Sequence, residues 1–331
     1  LKKILLIRFS SIGDIVLSTP VVKALKEQLN CELHVLTKKQ YQDIFKNNPH
    51  VDHVHPFEKN INETISQLKV ENFDFVVDLQ KSLRSIKIIK KLKKPNSSFS
   101  KLNIQKWLMV NFKINKLPDV HIVDRYFEAV KELGVTNKQN GLEYYFSDND
   151  VIDPLSINKN LKDGFIAFVI GGQHFTKIMP AEKVASIVSK LNLPVLLLGG
   201  PEDKNRGEEI TELSKNNEVI NTCGQFSLNA SASLVKQSKL VITNDTGLMH
   251  IAAAFKKPII SLWGNTIPEF GMYPYLPLNK DRFVIAEVEN LSCRPCSKIG
   301  HKKCPKNHFK CMLNQDEDFI VKSAIKLLKS N

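Results

Sequence analysis

The sequence contains no apolar run approaching the ~20 residues that cross a bilayer. Its start, Lys2-Lys3 followed by Ile4-Leu5-Leu6-Ile7, has the outline of an export signal. Arg8 and Ser10-Ser11 interrupt it well short of the roughly 7–15 apolar residues such a signal needs. It reads instead as a buried first strand, and without an export signal the expected compartment is the cytoplasm. The phosphate-binding fingerprint G-x-G-x-x-G is absent. So are RRM, KH and zinc-finger patterns, which argues against a nucleic-acid-binding module. A composition of 42% hydrophobic and 24% charged residues excludes a disordered, collagen-like or coiled-coil chain. Acidic residues are missing altogether from Lys81 to Lys116, a stretch with eleven Lys and Arg. That stretch accounts for most of the net charge of +13. The excess is therefore a local patch, and it implies an anionic partner: phosphate-rich lipid, nucleic acid or an acidic glycan.

What is present points to two α/β domains. A chain of 331 residues exceeds what one hydrophobic core usually serves. Short apolar runs at Lys3–Arg8, Leu33–Thr37, His53–Phe57 and Phe73–Leu79 alternate with helical patterns at Pro20–Leu29 (Thr19 as a possible N-cap), Gln40–Asn47 and Asn62–Val70. A second series follows: strands at Phe165–Ile170, Val195–Leu198, Leu240–Thr243 and Ile259–Leu262, with helices at Ala181–Leu191, from about Asp203, at Leu228–Gln237 and at Leu248–Phe255. Alternating strands and helices imply parallel sheets covered on both faces. The polar stretch Ser147–Lys162 reads as the linker, placing one domain over 1–155 and a second over 156–315. The apolar periodicity of Glu317–Lys329 predicts a C-terminal helix in 316–331, free to pack back on the first domain.

Four loops follow strands, where open α/β folds with a cleft between them bind ligands. In Ser10-Ser11-Ile12-Gly13-Asp14, Gly13 permits close backbone approach and Asp14 is placed as a general base, or else caps the next helix. In the loop from Gly171-Gly172 to Lys177, the lysine offers a point charge to a phosphate, or is simply solvated. In Asp245-Thr246-Gly247, small polar residues open a helix whose free N–H groups suit an anion, or Asp245 or Thr246 is only its cap. His250, four residues on, shares that helix face or merely packs. In Gly199-Gly200-Pro201-Glu202-Asp203, a carboxylate can accept from a ribose or serve as a helix-start charge.

Together, Arg8-Phe9-Ser10-Ser11-Ile12-Gly13-Asp14, the Lys177 loop, Asp245-Thr246-Gly247-Leu248-Met249-His250 and Pro258–Gly264 resemble glycosyltransferase family nine. The likeness runs from residue 3 to about 327 and includes a tail with Cys293, Cys296, Cys304 and Cys311. It implies a GT-B fold of two Rossmann-like doubly wound domains facing across a cleft. The acceptor would lie on the first domain and the nucleotide-sugar mainly on the second. It implies an inverting heptosyltransferase that moves heptose from ADP-heptose to the inner core of lipopolysaccharide and needs no metal or other cofactor. Asp14 matches the base and Lys177 the lysine that neutralises the diphosphate. Thr246, Gly247 and His250 match donor-contacting positions and Asp245 a site carboxylate, and Gly13, Gly171 and Gly172 of the strand-end loops are expected at the donor site with them. Glu202 matches the ribose contact, with Asp203 beside it as a rival.

Two features compete with that assignment. Asp148-Asn149-Asp150 has the form of a metal-binding D-x-D, but it lies in the polar linker and is assigned to solvent. The four tail cysteines, with His301 and His308 nearby, offer C-x2-C spacing for a structural zinc, although the later spacings are loose and a packed loop is the alternative. In the basic stretch, Arg84, Lys87, Lys91 and Lys94 fall on one helical face while Leu83, Ile86 and Leu92 are expected to pack inward. That face is expected to meet anionic lipid headgroups and the acidic acceptor, giving peripheral, salt-sensitive membrane contact. Rival readings are a related transferase using another nucleotide-sugar, a non-catalytic glycan binder and a nucleic-acid binder.

Overall fold

A computed structural model describes residues 1–216 and 218–330. The chain divides into two compact units, the first comprising residues 1–101 and 120–147, the second residues 102–119 and 148–331.

The first unit is built on a five-stranded parallel sheet of β1 (Lys2–Ile7), β2 (Cys31–Lys38), β3 (His53–Phe57), β4 (Phe75–Asp78) and β5 (Asn96–Ser98), in the order β3-β2-β1-β4-β5. Ile4 to Ile7 are fully buried because helices cover both faces of the sheet. The helix Thr19–Gln28 packs against β2 and carries Pro20 in its first turn. Ser18, rather than the expected Thr19, occupies its N-cap position. The core joins Leu5, Ile7, Phe9, Leu36, Phe57, Ile65, Phe73 and Ile88.

The second unit repeats the plan with six parallel strands: β6 (Ile166–Val169), β7 (Val195–Leu198), β8 (Val219–Asn221), β9 (Leu240–Asn244), β10 (Ile259–Trp263) and β11 (Phe283–Glu287), ordered β11-β10-β9-β6-β7-β8. In both sheets the chain builds outward in one direction, returns to the middle and builds outward in the other. The reversal falls between β1 and β4 in the first sheet and between β6 and β9 in the second. Loops leaving the carboxyl ends of these central strands diverge to opposite faces and leave a crevice for a ligand.

The domain limits differ from those expected. The second unit begins at Asp148 because the linker is anchored to it: Ile152 N donates to Ser233 Oγ at 3.1 Å, and Gln237 Nε2 donates to Ile152 O at 2.9 Å. Residues 102–119 also join it, with Lys113 Nζ donating to Pro295 O at 2.7 Å and Lys106 over the Phe270 ring at 5.9 Å. The C-terminal helix Glu317–Lys329 is not a separate piece. Ile320, Val321, Ala324 and Leu327 lie in the second unit's core beside Ile260 and Leu262. Among the described residues no helix is long and apolar enough to cross a membrane.

Candidate active site

In the first unit the candidate site begins where β1 ends. Arg8 is buried beneath the loop, its guanidinium 5.6 Å from the Tyr126 ring centre, and it donates to Leu79 O. The other arm of Arg8 pairs with Asp14 Oδ1 at 2.5 Å. Asp14 Oδ2 accepts from Ser11 N at 3.1 Å and Ser11 Oγ at 2.9 Å. The two readings of Asp14 are thus compatible: it reaches back to cap the short helix Ile12–Val16 while its carboxylate is held in a fixed orientation at a strand end. Burial pushes the Arg8 guanidinium down, but the charge and hydrogen bond of Asp14, with Tyr126 and Asp78, together outweigh it and leave it above its ordinary value. Lys101, from the basic stretch, belongs to the same neighbourhood. Burial and then the Arg8 charge hold its ammonium below the ordinary lysine value. Neither Arg8 nor Lys101 was assigned a role from sequence, since only tertiary proximity links them to Asp14. Gly13 is buried inside the Ile12–Val16 helix.

In the second unit, parallel pairing of β6 with β9 sets Val169 beside Thr243, so the loops that follow them are neighbours. Asn244, 1% exposed, ties the two loops together. Its Nδ2 donates to Ile170 O at 3.0 Å and Gly171 O at 3.2 Å, and its Oδ1 accepts from Met179 N at 3.3 Å. Lys177 Nζ reaches Asp245 Oδ2 at 2.6 Å, and the Thr266 hydroxyl donates to the same oxygen at 3.0 Å. Asp245, turned toward Lys177, does not cap the helix Gly247–Ala254. Thr246 occupies its N-cap position without a side-chain capping bond. The N-terminal N–H groups of this helix and a lysine thus meet on one loop pair, an arrangement suited to a diphosphate. Gly172 belongs to the same corner, where an added Cβ would stand 3.8 Å from Thr246 Cγ2. His250 is buried one turn into the helix, 2% exposed.

Glu202 and Asp203 differ in burial. Asp203 is 2% exposed, accepts from Gly200 N at 3.0 Å and pairs with Arg206 at 2.8 Å. An added Cβ at Gly171 would stand 2.3 Å from Asp203 Oδ2. Asp203 is thus held by packing that needs glycine beside it, whereas Glu202 is exposed.

The cysteine tail braces the Lys177 loop. His301 N donates to Thr176 Oγ1 at 2.8 Å, Thr176 N donates to His301 O at 3.2 Å, and Phe175 stacks on Phe309 at 4.9 Å. Cys304 and Cys311 are buried in the same core as Met312, and Cys293 Sγ lies 3.8 Å from His308 Nε2. All four tail cysteines are free thiols. Burial pushes Cys296 up to about 11 and Cys311 up to about 12. Asp150 of the D-x-D sequence meets Asn229 Nδ2 at 3.3 Å.

The basic helix, Leu83–Leu92, departs from expectation. Ile88 and Leu92 turn inward, but Leu83 is 87% and Ile86 39% exposed. Lys94 lies past the helix end, beyond left-handed Lys93, and donates to Asn72 Oδ1 at 2.7 Å. Arg84, Lys87 and Lys91 therefore share the solvent side with apolar residues.

Two doubly wound parallel sheets, each with its polar loops at the chain-reversal point, are the layout of the GT-B fold. The model of glycosyltransferase family 9 (heptosyltransferase) matches residues 61–307, and the chain belongs to that family. It is 26% identical to lipopolysaccharide heptosyltransferase 1 of Campylobacter coli, with 80% of this chain and 84% of that protein aligned. It is 23% identical to lipooligosaccharide heptosyltransferase 2 of Campylobacter jejuni over 97% of this chain and 96% of the relative. Its fold matches the solved family 9 glycosyltransferase of Veillonella parvula at a TM-score of 0.79, 21% identical and covering 100% and 98% of the two chains. The E. coli ADP-heptose heptosyltransferase II structure follows at 0.73, 18% identical and covering 99% of each chain.

Proposed function

We propose that this protein transfers heptose from ADP-heptose to the inner core of lipopolysaccharide with inversion at the anomeric carbon. The observation that carries the reading is the corner where Lys177, Asp245 and the open N-terminus of the Gly247–Ala254 helix meet. The relatives' names supply the sugar and the acceptor. In this reading the second unit holds the donor. Lys177 and the N–H groups at Gly247 face the diphosphate, Gly171 and Gly172 let the backbone approach it, and Glu202 accepts from the ribose. His250 backs the helix from below.

The first unit supplies the base. Asp14, oriented by Arg8 and Ser11, takes the proton from an acceptor hydroxyl as that oxygen bonds to the anomeric carbon. The bond from that carbon to the phosphate oxygen breaks on the opposite face. Positive charge grows on the sugar ring, as in other glycosyl transfers. Negative charge grows on the departing ADP, where Lys177 and the helix N-terminus stabilise it. A lysine and a helix terminus provide the positive charge that other transferases draw from a metal ion, so the reaction proceeds without one.

A nucleotide-activated donor places the work on the cytoplasmic side of the membrane. The helix carrying Arg84, Lys87 and Lys91, with Leu83 and Ile86 exposed among them, supports peripheral contact with anionic headgroups. Sugar transfer from ADP-heptose to an inner-core acceptor tests the proposal, with and without EDTA, for wild type and Asp14→Ala. Transfer should survive EDTA and fall by about 10²–10⁴-fold in the variant, the range of a lost general base. Transfer only from another nucleotide-sugar would replace the donor assignment, and acceptor binding without transfer from any of them would replace the enzyme reading.

A further inference from the structure

At the opposite side of the first sheet from Asp14, toward the amino ends of its strands, lies a group of imidazoles and carboxylates that the transfer reaction does not use. Glu32 and His34 are two residues apart on β2, and His53 and His55 two apart on β3, so each pair shares a strand face. The parallel register sets His34 opposite His53. His34 Nε2 lies 3.0 Å from Glu32 Oε1, and His53 Nε2 lies 3.1 Å from the same oxygen. On its other side, His34 Nδ1 lies 2.8 Å from His55 Nε2. Phe73 stands edge-on to His34 at 5.0 Å and gives the cluster an apolar floor.

We propose that Glu32 Oε1, His34 Nε2 and His53 Nε2 form a binding site for a divalent ion of the zinc type, with His55 as the positioning residue behind His34. The three ligand atoms all lie within 4.8 Å of one another. A tetrahedral ion with bonds of about 2.0–2.1 Å separates its ligands by roughly 3.3 Å, so the observed pair distances need to open by only a few tenths of an ångström. Imidazole with carboxylate selects zinc, copper, nickel or cobalt rather than calcium or magnesium.

A metal ion needs imidazole nitrogens that present lone pairs, and burial favours the neutral form of both His34 and His55. As the ion takes His34 Nε2, the His34 proton moves to Nδ1 and is donated to His55 Nε2, and His55 carries its own proton on Nδ1. This is the outer hydrogen bond that fixes the tautomer of a metal-bound histidine. His53 is 56% exposed, so the ion has a path from solvent and room for water as a fourth ligand. The opposing charge is Lys3, 3.6 Å from Glu32 and 3.1 Å from Glu71, which competes for Glu32 and is partly engaged by Glu71. β3 is an edge strand, and an ion here would fasten it to β2.

Cobalt(II) titrated into chelator-stripped, full-length protein tests the site. One equivalent should bind with a visible d–d absorption and without a near-ultraviolet thiolate band, be displaced by zinc, and raise the melting temperature. His53→Ala and Glu32→Gln should each weaken binding at least about tenfold, while Cys293→Ser leaves it unchanged and Lys3→Ala tightens it. The exposed His53 makes its variant safe for folding. Absence of a d–d band, binding unchanged in His53→Ala and Glu32→Gln, or a thiolate band lost only in Cys293→Ser would each overturn the proposal.

Discussion

Lys177 and Asp245 form an ion pair whose side chains are 17% and 11% exposed, with Thr266 donating to the same carboxylate oxygen. Arg294, itself bound to Glu287 at 2.7 Å, donates to Thr266 O at 2.8 Å and so holds Thr266 in place. The lysine is therefore positioned before any ligand arrives, and under the proposed reaction little reorganisation is needed when negative charge develops beside it. Replacing Lys177 with Met should lower kcat about 10²–10³-fold, the usual loss for one transition-state donor. ADP binding, measured by calorimetry, should weaken much less, because the helix N-terminus is untouched. Equal losses in both would mean that the lysine binds ground and transition states alike. Both partners of this pair were legible in the sequence, because apolar runs announced the strands and the loops after them had few places to go. The Arg8–Asp14 pair, the Lys101 neighbourhood and the His34–His53 pairing were not, since each depends on register or tertiary approach. Glu202 and Asp203 are adjacent carboxylates of nearly equal local character, and only the structure shows that Asp203 is the buried one.

At the scale of elements, the C-terminal helix is fixed to the second unit by a charged clasp as well as by its apolar face. Glu317, in its first turn, pairs with Lys183 at 2.7 Å and accepts from Ser186, both on the helix Ala181–Val188. Burial pushes the Glu317 carboxyl up, but Lys183, Ser186 and Lys190 together outweigh it and leave it below its ordinary value. A carboxylate with a lowered folded-state value contributes stability that is present above its unfolded value and is lost as pH falls through the folded one. Glu317→Gln should therefore cost about 1 kcal/mol at pH 7. Melting temperatures of the two proteins should converge on acidification below about pH 4.5, the ordinary glutamate range. A gap that stays constant with pH would assign the effect to packing. The basic helix shows why an element can be found and its facing still misjudged. In Leu83–Leu92 two apolar sets share the same period, Leu83 with Ile86 and Ile88 with Leu92. The helix is buried through the second set because that side meets Leu5, Phe9 and Phe73.

At the scale of the whole molecule, a net charge of +13 is concentrated in one stretch of chain. The exposed face of Leu83–Leu92 joins the cations Arg84, Lys87 and Lys91 to the apolar side chains of Leu83 and Ile86. These two kinds of group respond differently to salt. Each cation near an anionic bilayer contributes about 1 kcal/mol at low ionic strength. That contribution fades as the screening length falls from about 8 Å at 0.15 M salt to about 3 Å at 1 M. Insertion of Leu83 and Ile86 depends on apolar area removed from water and is not screened. Vesicle co-sedimentation should thus show binding to anionic but not zwitterionic vesicles. The triple variant Arg84→Glu, Lys87→Glu, Lys91→Glu should lose that binding by about 10²-fold or more. Leu83→Ser with Ile86→Ser should lower it at every salt concentration while keeping the salt slope. ADP affinity should stay at the wild-type level in both variants, because the proposed donor residues lie in the other unit. If the triple variant instead binds anionic vesicles as wild type does, the cations of this helix serve the acidic acceptor alone, and the route to the membrane lies elsewhere on the chain.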